Sequence, residues 1–144
     1  MYLKRAISFE IRMLANLVKR SMETSAANDG QETTTGLQGW IIGFLVNNAD
    51  REVFQRDIEK EFDIRRATVT GILQLMERDG LIERKSVEQD ARLKKIILTE
   101  KAKRIHEVNY QRFVEFEKKL QADLTAEELD TFCSIVEKLK KNLE

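Results

Sequence analysis

Between Arg65 and Lys95 the chain gathers side chains that hold anions and hydrogen-bond flat polar edges. Arg65 and Arg66 stand at the start of a short amphipathic stretch, where free backbone N–H groups already favour an anionic phosphate. Thr68, Thr70 and Gln74 follow, offering hydroxyls and an amide to phosphates or base edges. Gln suits the donor–acceptor pair of adenine in the major groove, without being exclusive to it. Arg84, Lys85, Arg92, Lys94 and Lys95 then crowd onto two short alternating runs. Arg92 is long enough to enter a minor groove, and Asp90, two residues earlier, can brace its guanidinium. No paired-carboxylate, nucleophile-elbow or phosphate-loop spacing occurs, so no enzyme is expected.

These residues need a scaffold, and apolar spacing supplies one. Val69, Ile72, Leu73 and Met76 follow the i, i+3, i+4, i+7 pattern of a helix. On a wheel of about 100° per residue, Ala67, Gly71, Gln74 and Arg78 lie opposite that stripe, flanked by Thr68 and Thr70. Gly80 sits where a left-handed C′ residue belongs, and Leu81 can contact Met76, as a Schellman cap requires. Leu81–Val87 and Leu93–Leu98 alternate as two strands, with Glu88–Arg92 as the tip. An isolated hairpin is marginal, so this one must pack on helices. A solvated helix and a solvated hairpin would each carry such residues one at a time. Their direct succession points to a groove-sized helix beside a basic-tipped hairpin.

Further helices flank this centre. Leu3, Ile7, Ile11, Leu14, Val18 and Met22 mark an amphipathic first helix. Thr24–Gly36 lacks large apolar residues and reads as a loop. A second helix from about Leu37 carries Trp40, Ile41, Phe44 and Leu45, and Val53-Phe54 reads as a brief strand or helix lead-in. The third helix runs through Ile58 to Phe62, with polar Gln55, Arg56, Glu59 and Lys60 around it. Thr99 is placed to cap a long fifth helix bearing Ala102, Ile105, Phe113, Phe116 and Leu120. Thr125-Ala126-Glu127-Glu128 forms a capping box for the last helix. That helix lines up Leu129, Phe132, Cys133, Val136, Leu139 and Leu143.

The 144 residues fit one compact unit of mainly α class with a small β-hairpin. Formal net charge is zero, which excludes a globally basic coat. Residues 64–104, however, hold eleven Lys and Arg against six Asp and Glu, so one region is electropositive and the rest acidic. One cysteine excludes an internal disulfide, and one histidine leaves no His/Cys metal site, so no cofactor is expected. Cys133 reads as a buried small hydrophobe and His106 as a surface residue of the fifth helix. The longest apolar run, from Trp40, is far short of the ~20 residues that span a bilayer. The first residues show no secretory h-region, so the cytoplasm is expected.

The centre resembles the multiple antibiotic resistance regulator (MarR) family of winged helix-turn-helix proteins. Its wing signature, D-x-R-x5-L-T, is met by Asp90, Arg92, Leu98 and Thr99. Arg66-Ala67-Thr68-Val69-Thr70 looks like the start of its recognition helix, and Gly80-Leu81-Ile82-Glu83-Arg84 like its helix-to-strand step. Two positions depart from the pattern. Many members carry a larger polar residue at Gly71, and Ser or Pro at Ala67.

The resemblance implies a three-part chain: dimerisation helix and loop (1–36), winged helix-turn-helix (37–99) and C-terminal dimerisation helices (100–144). It implies a homodimeric, cytoplasmic repressor on a pseudo-palindromic double-stranded DNA operator, its recognition helices ~34–36 Å apart. The expected DNA contacts are Thr68, Thr70 and Gln74 in the major groove and Arg92, braced by Asp90, in the minor groove. Arg56, Arg65, Arg66, Lys94 and Lys95 are expected on phosphates. Release by a small aromatic or anionic effector is also implied, with Trp40 and Phe44 lining its pocket; core packing is the competing role for both. A winged-helix module that docks on protein through the same exposed helix is the alternative function.

Overall fold

In the computed structural model, residues 6–28 and 36–144 are described, side chains 24–28 excepted. They form α1 (Ile7–Asn28), α2 (Gly36–Asn47), α3 (Gln55–Phe62), α4 (Arg66–Arg78), β1 (Ile82–Val87), β2 (Asp90–Leu98), α5 (Glu100–Gln121) and α6 (Ala126–Leu143). The chain separates into two compact units, Met1–Tyr110 and Gln111–Glu144. Leu3 of the expected first stripe lies outside the described residues.

The first unit is organised around the stripe on α4. Val69, Leu73 and Met76 are enclosed by Ile41, Ile42 and Leu45 of α2 together with Ile58, Ile82 and Ala102. Each such side chain contributes about 1.5–3 kcal/mol by leaving water, so this cluster sets how α2, α3 and α4 cross. Both ends of α3 are defined by short-range polar contacts. Asp57 accepts a hydrogen bond from the Phe54 N–H at 2.8 Å at its start. At its end Asp63 takes a left-handed conformation (φ 49°), which a short polar side chain tolerates better than most. That left-handed step makes the turn into α4.

The exit of α4 has the geometry its sequence foretells. Gly80 lies at φ 74°, the Leu81 N–H reaches the Met76 carbonyl at 2.9 Å and the Gly80 N–H reaches the Glu77 carbonyl at 3.1 Å. Those two bonds are the Schellman pair. β1 and β2 then run antiparallel, from Ile82 opposite Leu98 to Ser86 opposite Lys94. Val53 is the expected brief strand reduced to one contact, its carbonyl accepting from the Ile96 N–H at 2.8 Å. Thr99 caps α5 by accepting from the Ala102 N–H at 3.2 Å, and its own hydroxyl donates to the Gly80 carbonyl at 2.6 Å. Lys101 donates to the Asp79 carbonyl at 2.9 Å. The root of α5 is thereby bonded to the end of α4.

In the second unit, the Thr125 hydroxyl accepts from the Glu128 N–H at 3.1 Å while the Glu128 carboxylate accepts from the Thr125 N–H at 2.9 Å. The foreseen capping box is present, yet no residue of α6 is buried.

Three expectations are corrected. The helix at the N-terminus does not stop at Thr24: Ser25, Ala26, Ala27 and Asn28 continue it, because nothing in that polar run breaks a helix and alanine favours one. Cys133 is exposed, on a helix that buries none of its residues. His106 is half-buried, its Cε1 3.9 Å from the position a side chain on Gly43 would take, so α2 covers part of the ring.

Candidate nucleic-acid interface

Outside the core, α4 presents Ala67, Thr68, Gly71, Gln74 and Arg78 as exposed residues. Its N-cap is Arg65 in an extended conformation with no side-chain cap. The first-turn amides therefore lack the usual Ser, Thr or Asp acceptor and face outward with Arg65 and Arg66, both exposed. An uncapped helix start with two guanidinium groups beside it is a seat for a phosphate.

Thr70 is half-buried, and its hydroxyl accepts a 2.8 Å hydrogen bond from the Gln55 amide, which also reaches the Arg66 carbonyl at 3.4 Å. Gln55, the first residue of α3, thus fixes the spacing between the starts of α3 and α4. Its polarity was visible in the sequence, but its partner fifteen residues on was not. Next to it Arg56 is exposed, its guanidinium 5.3 Å from the Phe54 ring centre, a cation–π contact that holds it at the mouth of α3.

The hairpin sorts its cations by direction. After Ser86–Lys94 the next pair is Val87–Asp90, so Ala91, Arg92 and Leu93 have no partners across the sheet. This bulge, anchored by the Ser86 hydroxyl donating to the Ala91 carbonyl at 3.1 Å, pushes the tip outward. The Arg92 side chain is 93% exposed. Asp90 Oδ1 accepts from the Arg92 backbone N–H at 2.9 Å and lies 3.4 Å from its Nε, so the brace acts on backbone and guanidinium together. Lys94 is exposed and makes no ion pair among the described residues. Lys95 lies 3.7 Å from Glu52 and Lys85 3.8 Å from Glu83, which partly neutralises both. Arg84 turns inward: its Nε is buried 3.6 Å from Glu77, too far for a hydrogen bond, and serves as a charge contact between β1 and α4.

The sequence-derived contact residues thus fall on three elements of one unit: Arg56 on α3, Arg65 to Gln74 on α4, and Asp90 to Lys95 on the wing. The outward strength of the wing is concentrated in Arg92 and Lys94. Leu75, which the sequence reading passed over, is 43% exposed on α4. The effector residues separate. Phe44 is half-buried, edge-on to Phe62 with centroids 5.9 Å apart and the Arg51 guanidinium 5.8 Å from its ring centre. Trp40 is not a core residue: it is 51% exposed.

A small helical core, a helix entered from a polar turn and a bulged basic hairpin together define a winged helix-turn-helix protein. The MarR family model matches residues 33–93. MarR from Oenococcus oeni PSU-1 is similar over 94% of this chain and 99% of its own, at 28% identity and a TM-score of 0.79. MepR of Staphylococcus aureus, in a complex with DNA, is similar over 96% of this chain and 97% of its own, at 27% identity and a TM-score of 0.84. An uncharacterized HTH-type transcriptional regulator of Bacillus subtilis (strain 168), YdgJ, is 27% identical over 99 residues. That match spans 69% of this chain and 60% of the relative's length. Residues 33–93 thus match the MarR family, and the described fold is that of MarR-family winged-helix structures. No helix among the described residues is long and apolar enough to cross a membrane.

Proposed function

We propose that this chain is a transcription regulator that binds a specific double-stranded DNA operator as a homodimer and represses from it. The observation that carries the reading is Arg92, held out on a three-residue bulge in the same unit as an uncapped, arginine-flanked helix. The fold also resembles MepR in its DNA complex. In this reading α4 enters the major groove with Thr68 and Gln74 at base edges. Thr70 stands behind them, tied to Gln55. Arg92 enters the minor groove, while Arg56, Arg65, Arg66, Lys94 and Lys95 meet phosphates.

The dimer is supported by apolar surface that one chain leaves uncovered. On α1 these are Ile7, Ile11 and Leu14; on α6 they are Phe132 and Ile135. Two-fold pairing would set recognition helices about one DNA turn apart, ~34–36 Å. Release by a small aromatic or anionic effector completes the reading, with Trp40 as the aromatic surface. It is the single tryptophan, so its fluorescence reports directly on such a ligand.

The test is a gel-shift titration of the DNA upstream of the chain's own gene at two salt concentrations. Retardation that survives excess non-specific competitor is expected. Arg92→Ala should weaken it by about 1–3 kcal/mol, and Lys94→Ala should lower the salt slope by about one unit. Equal affinity for all duplexes, with Gln74 shielded by a protein partner, would instead favour the docking-module alternative.

A further inference from the structure

Gly71 is a helix-interior glycine that the fold does not require. Its backbone is not left-handed, and a Cβ built on it meets nothing within 4 Å. Glycine there weakens the helix relative to alanine, so no packing reason within the described residues accounts for it. One turn on, Leu75 is the large apolar residue α4 leaves exposed, on a face otherwise polar. A helical side chain leans toward the N-terminus, over the turn before its own Cα. Helix spacing therefore makes Leu75 and exposed Thr68 the neighbours of the open space above Gly71, with no side chain within 4 Å of its Cβ position. The missing side chain thus leaves a recess of bare backbone between an apolar neighbour and a hydroxyl-bearing one.

We propose that this recess receives the 5-methyl group of a thymine, so that each half-site is read at one position by shape rather than by hydrogen bonding. The inference rests on α4 lying in the major groove. There the thymine methyl is the one apolar group on the base edges, and aliphatic contact is how it is recognised. Gly71 admits the methyl and Leu75 desolvates it. Gln74, one residue away, remains free to read a neighbouring base.

The experiment uses the full chain and a duplex that the wild-type protein selects from a random-sequence pool, with each thymine replaced in turn by deoxyuridine. At one thymine per half-site, removing the methyl should weaken wild-type binding about fourfold, the effect of one buried methylene-sized group. At that position Leu75→Ala should bring the thymine-to-uracil ratio near one while the other thymines keep their effects. Gly71→Ala should invert the ratio, because its own methyl fills the recess and the base must then lack one. Both positions are exposed, so both variants should melt at or above the wild-type temperature. An unchanged ratio in both variants overturns the proposal, as does Gly71→Ala weakening the thymine and uracil duplexes equally. If the wild-type protein selects no sequence at all, the DNA-binding reading falls first and this inference with it.

Discussion

In α4, Val69, Leu73 and Met76 are wholly enclosed, whereas α6 presents Phe132, Ile135 and Leu143 to solvent and buries nothing. Their starts are reversed as well: α6 opens with a complete capping box and α4 opens uncapped at Arg65. A helix secured by its core does not need its own cap, and its free amides remain for a ligand. A helix with no buried residue of its own depends on local bonds, because its apolar side has no cover among the described residues. The difference separates a helix held by its core from one whose stability, within one chain, rests on its own ends.

Leu73→Ala should produce the largest effect, a loss of about 2–5 kcal/mol in urea melts that does not vary with protein concentration. A concentration-dependent loss would mean that α4 too is stabilised by association. Ile135→Asp should leave the fold of a single chain intact and weaken self-association by about 2 kcal/mol, roughly thirtyfold, in sedimentation experiments. Should association be unchanged, the exposed side of α6 is not the contact. Thr125→Ala removes the box and should cost about 1 kcal/mol. Smallest is Arg65→Asp, which supplies the missing acceptor at α4. Stability should rise by about 0.5 kcal/mol while DNA affinity falls, because a carboxylate replaces a cation at the phosphate seat.

The features legible in the sequence are those whose cause is local. Gly80 announces its left-handed turn because glycine adopts it without strain, and Thr125 with Glu128 announces a cap because both partners lie within four residues. Asp90 braces Arg92 and Thr99 caps α5, as their spacing implies, because each partner lies within three residues. Features that depend on distant partners were not legible. Asp63 turns the chain in place of a glycine, Gln55 finds Thr70 across the helix-turn-helix, and the bulge shifts the strand pairing by three residues. Exposure was hardest to read. Trp40 and Cys133 sit on apolar stripes, but a stripe states only that a side wants cover, not that the chain provides it.

The wing is tight at one end and has slack at the other. Near Thr99 its strands are pinned by ladder pairing and by hydroxyl and backbone bonds to the turn after α4. At the bulge, Ala91 to Leu93 have no paired residues across the sheet, and the Ser86 hydroxyl holds the Ala91 carbonyl. In the proposed complex such a finger would adapt to grooves of different width from a pinned root. On the proposed operator, tolerance for DNA shape would then belong to three residues at the tip, and fidelity of position to the bonded root.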